Sequence, residues 1–200
     1  MDDLIQRARD GDGEAFAALF EHEKQPLWRA AMAVLDNVDD ASDALQETAV
    51  KAWRAMPRFG GRSAVGTWFM CILLRTCYDV RRKRKRETPC AMGVFDIDAD
   101  GTDVSWEPAV GLVSAGRGVV RDPDRDEAMD VHDALGRLAP DDRLVLVLFY
   151  VNDYPIRQIS QIMNVSEGAV RTRLSRARDR FKVVYGEGPS GVFKEAEVAR

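Results

Sequence analysis

Five arginines fall within the eighteen residues "NVSEGAVRTRLSRARDRF", Asn164 to Phe181, of a 200-residue chain whose formal net charge is -4. A guanidinium is always charged, and its planar fork of donors matches phosphate oxygens and guanine edges, so such a cluster suits nucleic acid. Arg81 to Arg86 form a second cluster of six consecutive basic residues, a run placed to lie along phosphates. Acids gather elsewhere. Asp40, Asp43 and Glu47, with Gln46, are spaced to give one helix a polar face that can meet a partner. Covalent or metal chemistry finds no comparable support. Cys71, Cys77 and Cys90 are an odd number, they and the two histidines, His22 and His132, lack metal-ligand spacing, and no Ser/His/Asp, Cys/His or phosphate-loop arrangement occurs. No zinc, disulfide, cofactor or enzymatic activity is expected.

The elements that carry these residues read as helices. Around the arginines, Val170, Leu174, Ala177 and Phe181 recur at helical spacing and define a buried stripe, which leaves Arg171, Arg173, Arg176, Arg178 and Arg180 on the other faces. Ser166 suits the cap of that helix, and Asn164 tolerates the left-handed conformation of a tight turn. Upstream, Ile156, Ile159 and Ile162 or Met163 mark another helix, with Asp153 and Pro155 in the order of a cap and first turn. An apolar-faced helix, a short turn and an arginine-bearing helix make a helix-turn-helix, whose second helix enters the DNA major groove. Gly168 would let that helix approach the backbone closely. "LVLVLFYV", Leu144 to Val151, is ambiguous by period alone, but the "APDD" before it supplies a helical first turn.

Toward the N-terminus, Leu4, Ala8, Ala15, Phe16, Leu19, Phe20, Leu27, Ala31 and Leu35 repeat at helical spacing, as do Val38, Ala41, Leu45, Ala49 and Trp53, taken as a buried stripe. Trp53, Trp68 and Phe69 are expected in the core rather than stacked on bases. No internal repeat or strand pair is evident, and the expected fold is all-α.

Charge divides the chain. Residues 1–86 hold fifteen Lys and Arg against thirteen Asp and Glu, residues 87–127 three against ten, and residues 128–200 eleven against ten. The middle segment mixes Gly, Pro, Ser and Asp without an apolar period, as a flexible acidic linker does. We therefore expect helical domains at 1–86 and 128–185, a linker at 87–127 and a tail at 186–200. The start lacks a basic-then-apolar leader and no apolar run is long enough to span a bilayer, so a cytoplasmic protein without membrane insertion is expected.

Two blocks resemble a known family. "LAPDDRLVLVLFYVNDYPIRQISQIMNVSEGAVRTRLSRARDRF" resembles region four of bacterial RNA polymerase sigma factors of the extracytoplasmic-function type. "DDASDALQETAVKAWRAMPRF" resembles their region two, with an Asp-x-x-Asp-x-x-Gln-Glu-Thr core at Asp40, Asp43, Gln46, Glu47 and Thr48, and "GTWFMCILLRTCYDVRRKRKR" resembles the segment after it. The resemblance implies a transcription initiation factor that binds core RNA polymerase and directs it to promoter DNA. It assigns Asp40, Asp43, Gln46 and Glu47 to the polymerase. Minus-ten recognition and melting fall to the loop Phe59, Gly60, Gly61, Arg62 and Ser63, with Arg75, Tyr78, Asp79 and Arg82. Minus-thirty-five binding falls to Ser166, Glu167, Gly168, Arg171, Thr172, Arg173, Arg176 and Arg178. It also implies an anti-sigma partner.

Departures from the family pattern include Arg75 in place of a common asparagine, Cys71 and Leu74 where basic residues are common, and Ser160 and Asn164 in place of alanine and glycine. Glu167 begins the recognition helix, where an acid can accept from cytosine but repels the backbone. The acidic linker suggests a nucleic-acid mimic in the RNA-exit path of the polymerase, or simply a segment kept soluble by self-repulsion. The competing class is a stand-alone, dimeric helix-turn-helix regulator, which leaves the region-two resemblance unused.

Overall fold

The computed structural model describes residues 1–87 and 131–186, and every regular element among them is helical. The linker expected at 87–127, beyond its first residue, and the tail after Gly186 lie outside the described residues. In chain order the helices are α1 (Asp2–Arg9), α2 (Gly13–Leu35), α3 (Val38–Ala55), α4 (Val65–Glu87), α5 (131–136), α6 (Pro140–Leu146), α7 (Ile156–Met163) and α8 (Glu167–Gly186).

Local chemistry sets the boundaries. Asp12 caps α2 by accepting from the backbone N–H groups of Glu14 and Ala15, each at 3.0 Å, and Asn37 caps α3 by accepting from Asp40 N–H at 2.9 Å, satisfying donors that the first helical turn leaves unpaired. Asp36 ends α2 in the left-handed conformation, φ 54°. α2 continues for 23 residues through Pro26, whose missing N–H removes one bond from the helical ladder.

Helices α2, α3 and α4 pack against one another. Aromatic rings fill one end of the bundle, with Phe69 fully buried between Phe16 and Phe20 at centroid distances of 5.9 and 5.4 Å. Elsewhere Leu19, Leu27, Val34, Met56, Met70 and Leu73 are buried beside a set of small residues, Ala30, Ala31, Ala33, Ala41, Ala44 and Ala52, and where an alanine meets a neighbouring helix the backbones can approach more closely. The stripe on α3 differs from expectation: Ala41, Ala44, Leu45, Thr48 and Ala52 are buried, whereas Val38 and Trp53 are exposed. Val38 is the first residue of the helix, and Trp53 lies about 100° around from Ala52, with its ring set at an angle to Phe16 at 5.2 Å.

The C-terminal helices add Leu144, Val145, Leu148, Ile159, Ile162, Val170, Leu174 and Ala177 to the same buried cluster that the N-terminal helices share. "LVLVLFYV" is helical as expected, with a difference: α6 widens into a π turn over Val147–Val151. Inside this module Asp142, itself buried, pairs with Arg180 of α8. The two modules touch, α6 against α2 and α7 against α4.

Candidate nucleic-acid and polymerase interface

The helix-turn-helix is built as the residues direct. Asn164 adopts φ 55°, ψ 45°, and its N–H, together with that of Val165 at 3.0 Å, converges on the Ser160 carbonyl. Ser166 caps α8 by accepting from Ala169 N–H at 3.2 Å. Asp153 is not the cap of α7. It takes a left-handed conformation, φ 55°, and Pro155 stands at the cap instead, because the chain must reverse after the π turn before α7 can begin. On α8, Val170, Leu174 and Ala177 are buried and Phe181 is half-buried, while Ser166, Glu167, Gly168, Arg171, Thr172, Arg176 and Arg178 are exposed. Among the expected minus-thirty-five contacts only Arg173 is half-buried.

Charges on this face are partly engaged. Glu167 pairs with Arg171 one turn later at 3.2 Å, which offsets the repulsion an acid would exert on phosphates. Thr172 Oγ1 donates to the Gly168 carbonyl at 3.0 Å. A Cβ at Gly168 would meet nothing closer than Ser166 Oγ at 3.9 Å, so packing within the chain does not require glycine there.

The loop between α3 and α4 exposes Gly60, Gly61 and Arg62, with Ser63 half-buried and Gly61 at φ 67°. Phe59 is turned inward: it is buried and packed against Trp68 at 4.9 Å, so it supports the loop from beneath. Phe69 is core as expected and Trp68 is half-buried. At the start of α4 a Cβ at Gly66 would lie 2.4 Å from the Glu23 carboxylate, so a larger residue there would displace that side chain. That carboxylate sits beside the first turn of α4, where the helix dipole favours an anion.

Along α4, Arg75, Asp79 and Arg82 are exposed, and the last two pair with each other at 3.5 Å. Tyr78 is half-buried and donates its hydroxyl to Asp141 Oδ1 at 2.9 Å. Burial first, and then the Asp141 charge, raise its pKa well above the ordinary phenol value. The basic run is not a uniform stripe. Arg84 NH1 reaches Asp40 Oδ2 at 2.6 Å, an ion pair without hydrogen-bond alignment, and Arg81 lines a cleft of about 300 Å³ with Val34, Asp36, Arg84, Pro140 and Arg143.

On α3, Asp43, Gln46 and Glu47 project outward, Gln46 toward Ser42 at 3.5 Å and Glu47 paired with Lys51 at 2.8 Å. Asp40 stands apart from them, half-buried against Arg84. Trp53 and Val50 extend this outer face as exposed apolar groups, which the period alone did not reveal. Asp141, in contact with Tyr78, was also passed over, because an aspartate in a first turn already has a local reason to be there.

Residues 19–87 match the family model described as Sigma-70 region 2, and residues 128–181 match that described as Sigma-70, region 4. The chain belongs to the sigma-70 family. Its relatives place it among the extracytoplasmic-function sigma factors: it is 29% identical over 183 residues to the ECF RNA polymerase sigma factor SigM of Mycobacterium tuberculosis, spanning 91% of this chain and 83% of that one. It is 28% identical over 160 residues to the RNA polymerase sigma factor SigV of Bacillus subtilis, spanning 80% and 84%. Among solved structures it is similar to the sigma factor RpoE in complex with the anti-sigma factor NepR from Bartonella quintana, with TM-score 0.63, 25% identity and coverage of 86% and 97%. CnrH in complex with the cytosolic domain of CnrY shares the fold, with TM-score 0.62, 23% identity and coverage of 90% and 94%. No described helix of this sigma factor is long and apolar enough to cross a membrane.

Proposed function

We propose that this sigma factor acts in the cytoplasm as a non-catalytic initiation subunit, binding core RNA polymerase and directing it to promoters. The observation that carries the reading is the order of two matched regions, 2 and 4, on one chain, with the exposed arginine face of α8 in the second. The outer face of α3, through Asp43, Gln46 and Glu47 with Asp40 at its margin, docks on the polymerase. Gly60 to Ser63, supported by Phe59, and the Arg75, Tyr78, Asp79 and Arg82 face of α4 take up unstacked minus-ten bases and their phosphates. Ser166 to Arg178 of α8 enter the minus-thirty-five major groove, where arginines reach guanine edges and phosphates. The solved complex of RpoE with NepR supports an anti-sigma partner for this chain too.

Run-off transcription with purified core polymerase tests the reading. The wild-type chain should produce specific starts. Asp43→Ala/Glu47→Ala should lower core affinity while leaving duplex binding by α8 unchanged, and equal loss of both would remove the division of labour.

A further inference from the structure

Helix α4 begins without a cap of its own. The position before Val65 is Ala64, whose carbonyl takes the first helical bond, from Trp68 N–H at 3.1 Å, but whose side chain carries no acceptor. The first turn of α4 contains no acidic residue either. Since the first N–H groups of a helix lack intrahelical partners, a start of this kind is weak unless something outside the segment supports it. Its two neighbours in the bundle are better provided: Asp12 caps α2 and Asn37 caps α3.

Negative charge arrives from α2 instead. The Glu23 carboxylate fills the space beside Gly66 in which a side chain would stand, with its carboxyl carbon 2.7 Å and its second oxygen 3.0 Å from where a Cβ would be. Only 17% of the Glu23 side chain is exposed, so water screens its charge incompletely. Thr67, in the same turn of α4, is buried and its hydroxyl has no partner, which leaves this turn short of acceptors. Around the carboxylate stand His22, whose Nδ1 lies 3.2 Å from Oε1, and Tyr154, close enough to feel the charge.

We propose that Glu23 is a positioning residue for promoter opening: its charge, supplied from α2, anchors the first turn of α4 and so fixes where the loop Gly60 to Ser63 rejoins the bundle. The inference rests on the assignment of that loop to the minus-ten element. At its other end the loop is held by Phe59, buried against Trp68. Between the two anchors Gly60 and Gly61, the latter at φ 67°, give the chain little stiffness of its own. Both ends must be held if the loop is to meet unstacked bases in one shape. When the charge is lost the first turn of α4 loosens, the loop samples more conformations, and capture of a base costs more ordering entropy. Glu23 itself lies outside the residues assigned to DNA and to the polymerase.

The test uses the full chain with core polymerase and a promoter found by start-site mapping, labelled with 2-aminopurine in its minus-ten segment so that fluorescence reports opening. Glu23→Gln keeps the shape of the side chain and removes its charge, and should slow opening about fivefold, the size of a partly buried charge at a helix N-terminus. Core affinity and minus-thirty-five duplex binding should stay at wild-type values. Ala64→Ser, at an exposed position, gives α4 a cap from its own sequence without adding charge beside the phosphates. Glu23→Gln/Ala64→Ser should therefore recover the wild-type opening rate, a rescue that a general loss of packing would not show. Wild-type opening in Glu23→Gln, a defect that Ala64→Ser leaves in place, or an equal loss of core affinity would each overturn the inference. A wild-type holoenzyme that opens no promoter would instead remove the initiation reading, and this one with it.

Discussion

Replacing Asn164 separates backbone conformation from side-chain chemistry at the turn on which the helix-turn-helix depends. Its φ of 55° and ψ of 45° place it in the left-handed region, and the Asn164 and Val165 N–H groups both close on Ser160. A Cβ in that region costs about 1–2 kcal/mol, partly offset in asparagine by local hydrogen bonding, and glycine escapes the cost. Asn164→Ala should therefore destabilise the C-terminal module by about 1 kcal/mol, and Asn164→Val, with a branched Cβ, by about 2 kcal/mol. Asn164→Gly should fall within about 0.5 kcal/mol of wild type, because relief of strain is set against the greater freedom of glycine in the unfolded chain. With a urea slope of about 2 kcal/mol per molar, alanine moves the unfolding midpoint down by about 0.5 M and valine by about 1 M. Equilibrium urea unfolding followed by circular dichroism reads this directly, with duplex binding measured on the same samples well below the transition. If alanine and glycine gave the same midpoint, the left-handed turn would not be what fixes the angle between α7 and α8.

Other consequences follow for the same chain. Arg171→Ala or Arg176→Ala should weaken minus-thirty-five duplex binding while core affinity is retained, and the slope of log affinity against log salt should flatten by about 0.9 for each phosphate that the variant no longer neutralises. Phe69→Ala, at a fully buried position ringed by Phe16, Phe20 and Trp68, should cost about 3–5 kcal/mol in thermal or urea unfolding. Tyr154 is pushed up to about 12, by burial first and then by the nearby Glu23 charge. The native state therefore holds a proton that the unfolded chain releases near pH 10. Stability from this group is fully present below about pH 10 and declines as pH rises toward 12, so Tyr154→Phe should flatten that decline in alkaline melting curves.

Much of the architecture is legible from period and caps. The α7–turn–α8 unit could be read residue by residue, since Asn164, Ser166 and the stripe from Val170 to Ala177 each carry a local reason for their place. Phe59 shows where local reasoning ended: an aromatic beside two glycines suits a base-catching loop, but Trp68, nine positions later, gives it a tertiary partner. Asp40 is similar. It shares a motif with Asp43 and Glu47, yet its carboxylate turns to Arg84 of α4, a pairing that no spacing within α3 encodes. Contacts between the modules, Tyr78 with Asp141 and Arg143 with Asp36, join residues separated by the whole linker and leave no periodic trace.

The alanines between α2, α3 and α4 have a consequence for how this bundle tolerates change. At Ala30, Ala31, Ala41, Ala44 and Ala52 the constraint is on volume, so enlargement is resisted where most core positions resist truncation. A saturation scan should find glycine or serine milder than leucine at these sites. Substitutions there would also act at a distance. By thickening the seam they would shift the outer face of α3 relative to α4, so these methyl groups serve as a gauge for the spacing between whatever grips the one and whatever lies along the other.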